Sequence, residues 1–180
     1  MDNPERRSFL RFIIHGLSAI FTIILAFPIV CYILDPRHRK SAASGFRPVE
    51  GVRMNELVQD KPAQGFIRAI RRDAWTLYPS DVQGRVWIIK YGPGDNDLHV
   101  FTTICPHLGC SINVNNPPTG FTCPCHGACF DLAGQKVGAD NVAPRPMDSL
   151  EWKRDERDPN LLLVQYQNFR QLESTKIVRT

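Results

Sequence analysis

The chain has 180 residues, a formal charge of +4 and a hydrophobic share of 43%. That share excludes a disordered protein, and the length allows one compact domain plus appendages. Much of the positive excess lies in Arg6, Arg7 and Arg11 and in Arg37, Arg39 and Lys40. The remainder is close to neutral, so no nucleic-acid partner is expected.

The first element is an apolar run from Ile13 to Leu34, free of Asp, Glu, Lys and Arg. As a helix it would span about 30 Å of hydrocarbon. Pro28 should kink it without ending it. The competing reading is a cleaved signal peptide, for which Ser41–Ser44 offers small residues. The apolar core of such a signal is shorter, about 7–15 residues, so a retained single-pass anchor in contact with membrane lipid is expected. Glu5-Arg6-Arg7-Ser8-Phe9-Leu10-Arg11 resembles a twin-arginine export signal, a route for proteins already folded. A plain positive-inside anchor is the alternative.

Residues 1–12 therefore read as a cytoplasmic tail, 13–34 as the transmembrane anchor and 35–48 as a flexible tether. The tether is polar, has small residues and shows no periodicity. From residue 49 to about 168 the pattern is that of an antiparallel β domain. Strand candidates are Gly65–Ile70, Arg85–Tyr91, Leu98–Ile104 and Leu161–Tyr166, with a hairpin at Phe130–Gln135. No long helical stripe occurs outside the anchor. The fold class is all-β, preceded by one helix, and residues 169–180 read as a polar tail.

Between Cys105 and Phe130 the chain places five of its six cysteines and two of its five histidines. One box is Cys105-Pro106-His107-Leu108-Gly109-Cys110. The other is Cys123-Pro124-Cys125-His126-Gly127-Ala128-Cys129-Phe130. One Cys and one His from each box could supply four metal ligands, leaving Cys110 and Cys125 as a spare pair. A Cys2His2 zinc site needs the same ligand types but gives no reason for the spare pair. A disulfide framework would not explain the histidines. A catalytic Cys–His pair needs one thiol, not five. The pattern points to a metal and leaves its identity open.

The two boxes resemble those of the Rieske iron–sulfur proteins, Cys-x-His-x-Gly-Cys and Cys-x-Cys-His, and the anchor, tether and β domain follow the same layout. The resemblance implies a small cluster-binding subdomain, about residues 103–147. It would hold a [2Fe–2S] cluster with Cys105 and Cys123 on one iron and His107 and His126 on the other. It also implies a disulfide between Cys110 and Cys125. His126, and His107 beside it, would contact quinol in proton-coupled electron transfer, and Leu108 would lie on the docking surface. Ala143-Pro144-Arg145-Pro146 resembles the family's proline-rich cluster lid, with Pro144 and Pro146 as its stiff members.

High-potential members carry Ser and Tyr where this chain has Ala128 and Phe130. Both hydroxyl donors are missing, so a lowered potential and a low-potential quinol such as menaquinol are expected. The implied role is the electron-transfer subunit of a quinol-oxidising cytochrome bc-type complex, inactive alone. Its partners would be a membrane b-type cytochrome and a c-type cytochrome. The β domain would sit on the outer face of a bacterial cytoplasmic membrane. A small subunit of a periplasmic oxidase of the arsenite-oxidase kind is the alternative. Cys129 reads as a buried small hydrophobe or as a rival disulfide partner. Cys31 falls within the anchor.

Overall fold

The structure, a computed structural model, describes residues 4–38, 45–73 and 76–179. The chain divides into two units, an N-terminal helix and a β domain. Helix α1 runs from Pro4 to His38. It begins before Ile13 and continues past Leu34, so the basic N-terminal group and the first tether residues are helical, a correction to the expected boundaries. Proline at the first helical position loses no intrahelical bond. Pro28 removes one backbone donor but leaves the helix unbroken. Large apolar side chains are exposed all round it, among them Phe12, Ile14, Leu17, Phe21, Ile24 and Phe27. A helix apolar on every face is a candidate membrane span, and Glu5–Leu34 has the length and composition to cross one. The Thr22 hydroxyl donates to the Ser18 carbonyl at 2.9 Å, which satisfies that polar group within the helix.

The β domain contains a six-stranded antiparallel sheet. Its strands are β1 (Arg47–Glu50), β2 (Ala63–Asp73), β3 (Thr76–Lys90), β4 (Leu98–Thr102), β9 (Trp152–Arg154) and β10 (Leu162–Val164). The order is β4-β3-β2-β1-β10-β9. β1 already pairs with β10 from Arg47, so the tether ends earlier than residue 48. A second, four-stranded sheet lies between β4 and β9 in sequence. It consists of β5 (Asn113–Val114), β6 (Phe121–Thr122), β7 (Cys129–Phe130) and β8 (Lys136–Val137), paired in that order.

Val86-Trp87-Ile88-Ile89 is buried at every position, without the alternation of a one-sided strand. The reason is that β3 separates two cores. Val86 and Ile88 pack with Val49, Ile67, Val100 and Val164 on one face. Trp87 and Ile89 pack with Phe101, Phe121, Phe130 and the buried cysteines on the other. A strand covered on both sides reads as a continuous apolar run. The Trp87 indole donates to the Ile112 carbonyl at 3.0 Å, which ties the wall to the smaller sheet.

Beyond Ile67 the β2–β3 pair extends as an exposed ribbon, its register shifted at Ile67/Arg68 and Ala69/Arg71. Cross-strand polar pairs hold it. Arg71 Nε meets Asp81 at 2.6 Å, and Arg68 donates to the Ser80 carbonyl at 3.0 Å.

The C-terminal segment is not a loose polar tail, and this corrects the expected boundary at residue 168. Phe169 is buried and bridges to Val178. Arg170 N–H donates to the Ile177 carbonyl at 2.8 Å and Arg179 N–H to Asn168 at 2.7 Å. The segment is a hairpin packed on the domain through one aromatic anchor.

Candidate metal centre

Two loops build the site, and they share one backbone frame. Cys105 N–H donates to the Cys110 carbonyl at 2.8 Å, and Gly109 N–H returns to the Cys105 carbonyl at 2.9 Å. Cys123 N–H donates to Ala128 at 2.8 Å, and Gly127 N–H to Cys123 at 3.0 Å. Each loop has proline second, which pre-sets φ for a turn. Each has glycine fifth, at φ +80 for Gly109 and +72 for Gly127, a conformation that favours glycine. The first loop closes on the Ile104–Ser111 bridge, the second on the β6–β7 ladder.

Superposed by position, the frames pair Cys105 with Cys123, His107 with Cys125, Leu108 with His126, and Cys110 with Ala128. The two first-position cysteines are buried and free, and Cys123 is near enough to push the Cys105 thiol up. The histidines come from different positions, third in one loop and fourth in the other, yet their rings meet edge-on at 4.8 Å and 84°. Cys110 and Cys125 form a disulfide with a Cα–Cα distance of 6.5 Å. The sulfurs of Cys110, Cys123 and Cys125 lie within 4.8 Å of one another. That trio is no thiolate cluster, because two of its members are already bonded. Of the two boxes, Cys105 and Cys123 remain as free thiols and His107 and His126 as a ring pair; these four are the candidate ligands.

The electrostatics fit a cationic occupant. Burial pushes the Cys105 thiol up to about 11, hydrogen bonds from the His107 and Leu108 N–H groups oppose this, and the neighbouring Cys123 adds to the rise. Two adjacent buried thiolates are unfavourable without a counter-charge, and a metal supplies it and deprotonates both. The two backbone donors are already aimed at the sulfur that would become anionic.

The surroundings divide sharply. Ala128 and Phe130 are buried in the second core with Cys105 and Cys123. Leu108 is 52% exposed, His126 is exposed and His107 half-buried. One end of the centre is therefore dry and the other is open.

Of the loop 143–148, Ala143 and Met147 belong to this same core, Pro144 is half-buried and Pro146 exposed. Between the prolines sits Arg145, buried to 5%, in a two-bond pair with Asp148 at 2.8 and 2.8 Å. Its guanidinium also donates to the carbonyls of Arg170 at 2.8 Å and Glu173 at 2.6 Å. Arg145 thus binds this loop to the C-terminal hairpin. From that hairpin, Leu172 N–H donates to the Pro106 carbonyl at 3.0 Å, inside the first metal loop.

Sequence reasoning missed Arg145, Asp148 and Leu172. An Arg and an Asp three apart in a proline-framed turn, and a lone Phe in a polar tail, were the available signals. Cys129 stays a free thiol, half-buried. It donates to the Gly127 carbonyl at 3.3 Å, so the disulfide forms without it. Cys31 is free on α1.

A family model covers both loops. Residues 68–153 match the Rieske [2Fe-2S] domain. The chain is 29% identical over 144 residues to the menaquinol:cytochrome c reductase iron-sulfur subunit of Bacillus subtilis, covering 78% of this chain and 81% of that one. It is 24% identical over 149 residues to the cytochrome b6-f complex iron-sulfur subunit of Chlorobaculum thiosulfatiphilum, covering 83% and 69%. The crystal structure of the cyanobacterial plasma membrane Rieske protein from Synechocystis matches 46% of this chain and 77% of its own, at 26% identity and a TM-score of 0.36. Both loops lie inside the segment that matches the Rieske [2Fe-2S] domain.

Proposed function

We propose that the chain is the electron-transfer subunit of a quinol-oxidising cytochrome bc-type complex, held to the outer face of a bacterial cytoplasmic membrane by α1. The observation that carries the reading is the His107–His126 ring pair, with His126 exposed and His107 half-buried, in the same two loops as two buried free thiols. Cys105 and Cys123 would hold one iron of a [2Fe–2S] cluster, and His107 and His126 the other. When bound, the cluster supplies a one-electron acceptor whose imidazole ligands place its potential well above that of an all-cysteine centre.

The chain's own residues do the rest. His126, the more exposed ring, would accept the hydrogen bond of the quinol hydroxyl and take its proton as the electron leaves. Leu108, next to His107 in the chain, is an exposed apolar side chain that would suit the dry mouth of a quinol site in a b-type cytochrome. The disulfide fixes the two loops so that both rings stay at the tip. Ala128 and Phe130 place no hydroxyl near the ligand sulfurs. That supports a low-potential centre and menaquinol as its donor, with a c-type cytochrome as acceptor. The named relatives are bc-type subunits, and the periplasmic-oxidase reading is not favoured.

The test is to purify the chain from membranes with its partners. Dithionite reduction should give a rhombic paramagnetic signal of low average g, b-type haem should co-purify, and menaquinol should reduce the centre. Zinc in place of iron, or the absence of a b-type partner, would overturn the reading.

A further inference from the structure

Leu172 is at odds with its own fold on two counts. It sits at φ +63, a left-handed conformation that is costly for a bulky side chain and that Gly or Asn adopts more readily. Its side chain is 61% exposed, so little burial offsets that cost. Such a residue persists only where its surroundings fix it. Here they do. Arg145, itself buried, donates to the carbonyls on either side, at Arg170 and Glu173. Phe169, also buried, anchors the approach.

Its place is against the first metal loop. Leu172 N–H donates to the Pro106 carbonyl at 3.0 Å. One residue earlier, a Cβ built on Gly109 would meet Gln171 Nε2 at 3.7 Å, and that amide donates to the Phe169 carbonyl at 2.9 Å. Residues 171 and 172 therefore lie along Pro106–Gly109, the segment that carries His107 and the exposed Leu108. A single exposed Leu is ordinary on a protein surface. Two on adjoining segments, one of them held at a conformational cost, call for a partner.

We propose that Leu172 is a docking residue: with Leu108, it offers apolar surface to the mouth of the quinol site in the membrane b-type cytochrome. The inference rests on the reading of the chain as a bc-type subunit. The partner follows from continuity. Leu172 is seated on the loop that bears His107, and the rings that meet quinol must approach that mouth. A quinol reaches its site from lipid, so the rim is apolar, and closing on Leu172 takes its side chain out of water. The C-terminal hairpin is then the arm that presents Leu172, and Arg145 holds the arm in place. Covering a Leu side chain is worth roughly tenfold in docking.

The test uses the complex purified from membranes, mixed rapidly with a short-chain menaquinol, with reduction of the centre followed by its paramagnetic signal. A wild-type centre that gives no signal, or that menaquinol does not reduce, refutes the bc-type reading and the docking role with it. With wild-type reduction established, the variants address docking alone. Leu172→Asn accepts the left-handed conformation and removes the apolar surface. It should slow reduction roughly tenfold, with iron content and midpoint potential unchanged. Leu172→Gly relieves the backbone and should slow reduction as much. Leu172→Met keeps the apolar surface at the same backbone cost and should keep the wild-type rate. Leu172→Asn or Leu172→Gly at the wild-type rate overturns the proposal. So does a slowing that Leu172→Met shares, or one that comes with lost iron or a shifted midpoint potential, since the role would then be structural. A Leu172→Asn change confined to the oligomeric state of the solubilised complex assigns the surface to a second copy of the chain, and also overturns it.

Discussion

Replacing Arg145 by Met isolates the joint between the proline-framed loop and the C-terminal hairpin. The guanidinium makes four hydrogen bonds, two to Asp148 and one each to the carbonyls of Arg170 and Glu173. Both charged side chains are about 95% buried, at 5% and 4% exposure. Arg145→Met leaves the Asp148 carboxylate buried without its partner, a loss of about 3–5 kcal/mol. Lys176 lies near enough for Asp148 to influence it, and its charge compensates in part. The expectation is therefore the lower end, about 3 kcal/mol. At an assumed slope of about 1.5 kcal/mol/M, that is a fall of roughly 2 M in the urea midpoint.

The assay is urea unfolding of the detergent-solubilised chain, followed by near-ultraviolet circular dichroism, with the slope required to stay constant. Asp148→Leu in the Arg145→Met background removes the stranded charge and should recover part of the loss. Limited proteolysis should cut Arg145→Met between residues 170 and 179 and leave the wild type intact. A midpoint shift below about 0.5 M would refute the reasoning, because it would mean that the buried pair holds nothing the surroundings cannot hold alone.

Three further outcomes are expected. Ala128→Ser with Phe130→Tyr should raise the midpoint potential. If each donor favours the reduced state by about 1.4 kcal/mol, the gain is about 59 mV per donor for one electron; an unchanged potential with the hydroxyls in place would sink the idea. Cys110→Ser with Cys125→Ser opens a loop with a sequence separation of 15 and should cost about 3 kcal/mol, read as a lowered urea midpoint; a loss below 1 kcal/mol on that order-of-magnitude scale would show that the loops hold themselves. In metal-free protein the Cys105 thiol should alkylate with an apparent pKa of about 11, against an ordinary 9.0. Because the folded value is raised, the stability held by the neutral thiol is intact below about pH 9 and lost as pH rises through 11. Half-maximal alkylation near 9 would contradict the burial argument.

Much of the centre was legible because its chemistry is local. Each loop carries its cysteine, proline and glycine within five consecutive positions, and the frame they set needs little outside help. The run Val86–Ile89 was legible as a strand, and its position between two cores explains why it showed no alternation. β1 and β9 escaped because each is short. In β1 only Val49 is buried, so no period exists to detect. The exposed β2–β3 ribbon escaped because its partners are polar pairs across the strands. The C-terminal hairpin escaped for a different reason. What holds it is a guanidinium 25 and 28 residues upstream, and hydrogen bonds at that separation leave no periodic trace.

The shared frame of the two metal loops carries a consequence for how such a centre can change. The backbone specifies where a side chain departs, and not which element it presents. Position three of the first loop and position four of the second bring their rings together, while position three of the second loop gives its sulfur to the disulfide. Ligand identity is thus a matter of spelling on a fixed grammar. A substitution at these positions leaves the loop's own backbone hydrogen bonds in place, so the charge carried at the tip can change without a change in the frame.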